Sequence, residues 1–305
     1  MNLLRVSTSG SIKLYFWFLL GTLTAFNFEI AHAHAHENED FGPKCAKFFW
    51  AGTPDNPNSK TFLMLNGYLD KRKILLQLDT ASFDSIIKYN INNSSLHSSG
   101  SRTSHLLQIG EMTWGGAQFS TLGQEQKSKS ELYGTAGSSL LLGLVTIIDY
   151  PAQRLCFYRT DKKLVNFQKI NWQPALFREG WLLIGGNLGN IQTKSLVFDT
   201  GSSLFDLVVP ELIWKRITGK SGIQQATFRK TGNAWGKPVT IYGAPSVISL
   251  TIGGEPRNHI KVWVAPSDFA QYPVHPDGIV GNAAFLDSIV AIDLTNGARF
   301  ALLSK

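Results

Sequence analysis

The chain contains few of the residues that thiol and metal chemistry require. Its 305 residues include two cysteines and seven histidines. Neither Cys45 nor Cys156 has a histidine close by in sequence, which disfavours a thiol nucleophile. His32, His34 and His36 could bind a metal if they began the mature chain, but we favour their partial removal with an export signal. The other histidines lack metal-ligand spacing, so we predict no metal and no organic cofactor.

Charged residues are also scarce, at 17%, whereas hydrophobic residues make up 43% of the chain. This balance excludes a disordered protein and predicts a globular one with a substantial core. The formal net charge is +7, but the lysines and arginines are dispersed, with short runs only at 71–73 and 162–163. Basic clusters interleaved with aromatic residues are missing, so we predict no nucleic-acid partner.

Long apolar runs are absent after the N-terminus. Arg5 and Lys13 precede an apolar run over 14–26, and small alanines follow it at 31–35. A basic start, a short apolar middle and an Ala-x-Ala end are typical of a cleaved export signal. A membrane anchor would need about 20 apolar residues. We therefore predict a signal peptide over 1–35, a periplasmic or secreted mature chain, and no stable membrane span after cleavage.

The two cysteines fit that compartment. In an oxidising environment an isolated cysteine pair usually forms a disulfide. Cys45 lies near the start of the mature chain, and Cys156 lies near the end of its first half. We predict a Cys45–Cys156 bond that ties the N-terminal strand to that half.

The mature sequence repeats itself at the scale of half the chain. An apolar strand leads into Asp-Thr-small-Ser twice, at Ile74–Ser82 and at Ser195–Ser202. Met112–Gly116 and Leu250–Gly254, which share a Gly-Gly ending, are interpreted as a further equivalent pair. Near the end of each copy a glycine is followed twelve positions later by an aspartate, at Gly137 and Asp149 and again at Gly281 and Asp293. The terminal aspartates, Asp149 and Asp293, are interpreted as turn residues outside the site.

This repeat predicts two homologous domains. The boundaries are an N-terminal lobe over 36–160, a linker over 161–169 and a C-terminal lobe over 170–305. Strand-type segments rich in Val, Ile, Leu, Phe and Thr dominate, so the predicted class is all-β. The best helix candidate is Pro210–Ile217, which has proline in its first turn and apolar residues at helical spacing.

The repeated motif predicts a carboxylate pair. If both loops face one axis, Asp79 and Asp199 come close together, cannot both ionise readily, and share a proton. The ionised partner could take a proton from a bound water while the protonated partner donates one to a substrate carbonyl. The pair would then hydrolyse a peptide bond without a covalent intermediate.

The neighbouring motif residues are predicted to support the pair. Thr80 and Thr200 would hydrogen-bond across the axis, and the small Ala81 and Gly201 would let the backbone approach each carboxylate closely. The hydroxyls of Ser82 and Ser202 would donate to the carboxylates, stabilising their charged forms and favouring an acidic working range.

These two motifs resemble the paired active-site motifs of pepsin-like and retropepsin-like aspartic peptidases. Gly278–Gly281, followed by Asn282, resembles the apolar-apolar-Gly segment of a retropepsin subunit. The resemblance covers about residues 55–303. It implies a bilobal acid-protease fold with two β-barrel-like lobes, a cleft between them, catalytic Asp79 and Asp199, and a polypeptide substrate. A monomer is expected, and Ser98–His105 is the suggested source of a flap.

Two departures keep a competing hypothesis open. Ala81 stands where the family usually has glycine, and the interval from Asp79 to Gly137 is shorter than that from Asp199 to Gly281. The competing class is a catalytically silent protein that keeps the protease fold and binds a peptide or protein. A glycosidase also uses two carboxylates, but nothing in its chemistry explains a repeated Asp-Thr-small-Ser motif.

Overall fold

A computed structural model describes residues 42–53, 56–88, 98–122, 132–159, 170–234, 237–258, 260–264 and 276–303. The predicted signal peptide and the linker 161–169 lie outside these residues, as do His32, His34 and His36. The lobe boundaries therefore stay a prediction. The described residues form strands throughout, with a single α-helix, so the predicted all-β class is confirmed.

The residues that the structure describes in the first half form nine strands and one 3-10 segment. The strands are Lys44–Ala51 (β1), Phe62–Leu69 (β2), Arg72–Asp79 (β3), Ser85–Lys88 (β4), Ser98–Ile109 (β5), Met112–Leu122 (β6), Leu132–Gly137 (β7), Val145–Asp149 (β8) and Arg154–Tyr158 (β9), and the 3-10 segment is Ser138–Leu141.

The described part of the second half contains twelve strands, the α-helix and two 3-10 segments. In order they are Gln173–Arg178 (β10), Trp181–Leu188 (β11), Ile191–Asp199 (β12), Leu207–Val209 (β13), Glu211–Thr218 (α1), Ile223–Gln225 (3-10), Phe228–Ala234 (β14), Lys237–Pro245 (β15), Leu250–Ile252 (β16), Glu255–Arg257 (β17), Lys261–Val264 (β18), Gly278–Gly281 (β19), Asn282–Phe285 (3-10), Ile289–Asp293 (β20) and Ala298–Leu303 (β21).

Side-chain alternation explains how these segments become sheet. In β3, Ile74, Leu76 and Leu78 are buried while the residues between them are more exposed. A period of two places one apolar face on the core. Strands β19 and β13 are buried at every residue, which is typical of strands covered on both faces. Hydrogen bonds join the strands into a continuous, closed barrel-like system.

Both halves use the same strand arrangement around their motif. Strand β3 pairs in parallel with β7, which also pairs antiparallel with β4. In the second half β12 pairs in parallel with β19, which also pairs antiparallel with β13. In each half, a strand from the end of the copy thus lies between the strand that carries the aspartate and the strand that follows it.

One sheet joins the two halves. Strands β8 and β20 pair antiparallel in the register Asp149↔Ile289 and Val145↔Asp293. Strand β9 continues the sheet beyond β8, and β21 continues it beyond β20. In the repeat, Asp149 is equivalent to Asp293 and Val145 is equivalent to Ile289. The equivalents of two paired residues are thus paired with each other as well, as a two-fold axis between the copies requires.

The predicted equivalence of Met112–Gly116 and Leu250–Gly254 is wrong. In the structure β5 contacts β2 through Gly67↔Ile109, and β16 contacts β11 through Gly186↔Ile252. The counterpart of Leu250–Gly253 is therefore Leu107–Gly110, and not a segment beginning at Met112. A shared Gly-Gly pattern suggested the wrong match, whereas ladder register decides which residues are equivalent.

The predicted helix and disulfide are both present. Helix α1 covers Glu211–Thr218, has Pro210 as its N-cap and ends before Gly219, whose φ of 67° is the left-handed conformation that glycine adopts easily. Cys45 and Cys156 face each other across the β1–β9 ladder and are bonded. No helix among the described residues is long and apolar enough to cross a membrane.

The disulfide gives a direct chemical expectation. The chain has two cysteines, and both are used in the bond. Thiol titration of the denatured, unreduced protein should therefore find no reactive thiol, and the same titration after reduction should find two. Two thiols before reduction of an exported sample would contradict the bond.

Candidate active site

Each motif aspartate is the last residue of a buried strand. Asp79 ends β3 opposite Gly137, and Asp199 ends β12 opposite Gly281. A Cβ at Gly137 would lie 2.5 Å from the carbonyl oxygen of Phe83, and a Cβ at Gly281 would overlap that of Ser202. Glycine is required at both positions because the backbone after each aspartate passes directly over them.

The two motif threonines lock the loops together. The Thr80 N–H donates to Thr200 Oγ1 at 3.0 Å, and the Thr200 N–H donates to Thr80 Oγ1 at 3.0 Å. Each hydroxyl also donates across the axis, Thr80 to the Phe198 carbonyl at 2.6 Å and Thr200 to the Leu78 carbonyl at 3.0 Å. Four buried hydrogen bonds thus fix one motif against the other, as the sequence predicts.

The carboxyl group of Asp79 lies directly against Gly201, two residues after Asp199. The Asp79 and Asp199 carboxyl groups are close enough for each to shift the pKa of the other. Backbone N–H groups hold each carboxyl in place. Ala81 donates to Asp79 Oδ1 at 3.1 Å, Gly201 donates to Asp199 Oδ1 at 2.8 Å, and Ser202 donates to the same oxygen at 3.2 Å.

Burial raises the pKa of Asp79 above its usual value, although backbone N–H groups oppose this effect. Burial raises the pKa of Asp199 further, and the negative charge of Asp79 adds to that rise. Since two carboxylates in contact cannot both ionise readily, the pair keeps one proton over an extended pH range. The shared proton therefore belongs to the pair.

The serine hydroxyls do not have the predicted role at the first motif. Ser82 Oγ donates to the Asp84 carbonyl at 2.9 Å, so it stabilises the turn after the motif and not the Asp79 carboxylate. The contacts found for Ser202 at Asp199 run through its main-chain nitrogen. Main-chain donors supply the stabilisation that the sequence assigned to hydroxyls.

Gly201 and Ala81 occupy equivalent positions with different surroundings. A Cβ at Gly201 would lie 2.7 Å from Asp79 Cγ and 2.8 Å from each carboxylate oxygen. Ala81 has a negative φ, and its methyl group packs against an apolar cluster. The alanine is therefore compatible with the loop, while the second motif needs glycine for space.

On the sequence-based hypothesis that the pair cleaves peptides, Gly201→Ala should reduce that activity about tenfold or more, because the added methyl group displaces the Asp79 carboxylate from its partner. Ala81→Gly is the matched control and should retain activity within about twofold, since it only removes a methyl group. Initial-rate measurements on both variants check this. Equal activity in the two variants would contradict the proposed close approach.

A buried polar network that the sequence did not reveal supports the second loop. Tyr150 Oη donates to Asn282 Oδ1 at 2.5 Å, and Asn282 Nδ2 donates to the Thr200 carbonyl and to Ser203 Oγ, both at 2.7 Å. All four residues are buried. Because Tyr150 follows β8 and Asn282 follows β19, the network connects the shared sheet to the motif of the second half.

Other predicted residues lie away from the carboxyl pair. The Asp149 carboxylate accepts a hydrogen bond from the Ala152 N–H. The Asp293 carboxylate accepts hydrogen bonds from the Thr295 N–H and from the Arg299 guanidinium group. Both aspartates are therefore turn residues, as expected. The suggested flap, Ser98–His105, forms part of β5, whose hairpin with β6 turns near Gly110.

His105 Nδ1 forms a hydrogen bond with Asp70 Oδ2 at 2.5 Å. Asp70 lies just before the first residue of β3, whereas Asp79 is the last residue of that strand. Seven residues of strand separate those two ends, or about 23 Å. The flap suggestion is therefore wrong for its C-terminal part.

No family model and no curated protein matches this chain. Among solved structures, the crystal structure of basic 7S globulin from soybean is similar in fold. The TM-score is 0.51 at 9% sequence identity, over 87% of this chain and 96% of the globulin chain. At this identity the likeness shows the fold alone, and function has to be argued from the site.

Proposed function

We propose that this chain is an aspartic endopeptidase related to the pepsin-like and retropepsin-like enzymes. The observation that carries the proposal is the convergence of two equivalent strand ends, which brings the buried Asp79 carboxyl group against the loop that follows Asp199. The two carboxyl groups perturb each other's pKa there. The reciprocal threonine bonds hold that geometry. A pair of turn aspartates would need neither feature.

The reaction follows from the single proton that the pair holds. The ionised carboxylate accepts a proton from a water held between the carboxyls, the water oxygen bonds to the carbonyl carbon, and the protonated carboxyl donates to the carbonyl oxygen of the peptide bond. The carboxyl that took the water proton then donates it to the amide nitrogen, a hydroxyl of the tetrahedral intermediate returns its proton to the other carboxylate, and the C–N bond breaks to give an acid and an amine. The chemistry uses only these two side chains and water.

An assay of cleavage of an unfolded protein substrate tests the proposal. The assay covers about pH 3 to pH 8, a range that brackets carboxylate titration. We expect new peptide termini in the presence of the protein and their loss on addition of pepstatin, a transition-state-like inhibitor of the resembled family. A folded, disulfide-bonded sample that cleaves nothing across this range would leave a silent peptide-binding protein as the better description.

The pH profile has an expected direction. The active form has one proton on the pair, and burial raises the pKa of both groups. The loss of that proton, which ends activity on the alkaline side, should therefore occur well above the usual aspartate pKa of about 3.9. A profile of kcat/KM against pH should retain activity above pH 5. An alkaline limb near pH 4 would contradict the raised pKa of Asp199.

We also propose that the chain works after export, in the periplasm or outside the cell. The Cys45–Cys156 bond supports an oxidising compartment, where such bonds persist. Expression with residues 1–35 should release a shortened protein from the cytoplasm. Its N-terminal sequence would locate the cleavage site, and retention of Met1 in the cell fraction would contradict export.

A further inference from the structure

A lysine on β14 lies beside the loop that follows Asp199. The Lys230 ammonium group donates to the Leu204 carbonyl at 3.2 Å. It also lies over two aromatic rings, 6.0 Å from the centroid of Phe205 and 5.3 Å from that of Trp263. The stem of an exposed lysine can pack on such rings while its charge stays at the surface. The charge is therefore held in a defined place.

This place is continuous with the candidate active site. Phe205 and Trp263 belong to an apolar cluster formed by Leu183, Val197, Phe205, Val208, Ile241, Trp263 and Ile279. Ala81 from the first motif and Leu204 from the second loop both pack against the cluster. The cluster itself is buried, but Ala81 and Leu204 are partly exposed beside the carboxyl pair. Lys230 thus lies next to apolar side chains of both motif loops, where the chain of a bound peptide would pass.

The local charges favour an anion. Lys261 is the neighbouring cation, and Asp206 is the neighbouring acid. Asp206 is already engaged, because its carboxylate accepts the main-chain N–H of Lys261 at 3.0 Å. Burial, followed by the repulsion of Lys261, lowers the pKa of Lys230. Two cations thus share one acid that is already hydrogen-bonded, and a lysine ammonium has three donors to satisfy.

We propose that Lys230 is a specificity residue that selects peptides with an aspartate or glutamate side chain close to the cleaved bond, an inference that rests on the proposed peptidase function. The substrate carboxylate would accept hydrogen bonds from the Lys230 ammonium, while apolar neighbours of the carboxylate contact the partly exposed Leu204 and Ala81. The positive net charge of the chain would assist the approach of such peptides.

A substrate scan tests this. Matched peptides carry one glutamate or one glutamine at each position around the cleaved bond, and kcat/KM is measured at pH 6. The wild-type protein should prefer glutamate about five- to tenfold at one position, as a partly exposed charge pair allows. Lys230→Gln should lower the preference to about onefold, and Lys230→Glu should reverse it. At pH 3 the wild-type preference should also disappear, because glutamate becomes protonated.

Arg229→Gln is the matched control. It removes the same charge from the adjacent residue of β14, but the Arg229 side chain lies over Tyr242, at 5.7 Å, on the other face of the strand. The glutamate preference should survive in this variant. Equal loss in both variants would show general electrostatic attraction only and would overturn the role of Lys230, as would a wild-type protein that cleaves both peptides equally.

The experiment also separates this inference from the proposed function. Cleavage without a glutamate preference overturns the specificity alone. If no peptide is cleaved, the peptidase proposal fails. Calorimetric measurement of the binding of the same peptides then decides whether Lys230 selects acidic peptides. Tighter binding of glutamate peptides that depends on Lys230 would support selection in a binding protein, and equal binding would overturn it.

Discussion

Asp79→Asn and Asp199→Asn should each reduce kcat/KM for peptide cleavage to background, a loss of about 10³-fold or more, since each removes one partner of a general acid–base pair. Asparagine keeps the shape of the carboxyl and can still accept the backbone N–H groups of Ala81 or Gly201. It cannot hold the shared proton. The loss should appear in kcat, while KM for the same peptide changes little.

The Asp199 variant has a second, opposite effect on stability. Burial and the Asp79 charge raise the pKa of Asp199 in the folded protein. A raised carboxyl pKa means that the wild-type protein loses stability as pH rises through that value, because the unfolded state ionises more readily. Asparagine does not ionise, so Asp199→Asn should unfold at a higher temperature than wild type at pH 8 and at a similar temperature at pH 3.

Thermal unfolding at both pH values checks this. One kcal/mol corresponds to about 2–4 °C for domains of 150–250 residues, so a shift of a few degrees is measurable. An inactive variant that gains stability at pH 8 would identify the carboxyl as retained for chemistry at a cost to stability. An inactive variant that is less stable at both pH values would instead indicate a structural aspartate.

The sequence predicted the parts of this site that depend on the repeat. Two equivalent strands that end in aspartate must meet if the copies pack about one axis, and the threonine exchange follows from the same symmetry. The role of Ser82 was not predictable in this way, because it depends on where the backbone turns after Asp79. Its hydroxyl faces the Asp84 carbonyl, and main-chain nitrogen atoms serve the carboxylates.

Features that break the repeat were not accessible from the sequence. Tyr150 and Asn282 are 132 residues apart, and their hydrogen bond depends on the β8–β20 ladder that brings the two halves together. The position equivalent to Asn282 in the first half is Ser138, which donates instead to the Gly180 carbonyl. The place of Lys230 similarly depends on how the β14–β15 hairpin folds over Phe205 and Trp263.

Thr200→Val should destabilise the fold and the site together. The change leaves the Thr80 N–H without its acceptor and the Leu78 carbonyl without a donor, in a region where both threonines are buried. Each unsatisfied buried group costs about 1–3 kcal/mol, so the free energy of unfolding should fall by about 2–4 kcal/mol. Activity should fall at least a hundredfold, because the two carboxyls depend on this contact for their alignment.

Thr146→Val provides the control for this prediction. Thr146 is fully buried on β8, and its hydroxyl finds no hydrogen-bond partner among the described residues. The same substitution there removes a polar group that burial already penalises, so unfolding should be unchanged or shifted upward. Chemical denaturation of the two variants compares their free energies of unfolding directly. If Thr200→Val were as mild as Thr146→Val, the threonine exchange would not hold the halves together, and the carboxyl pair would need another source of alignment.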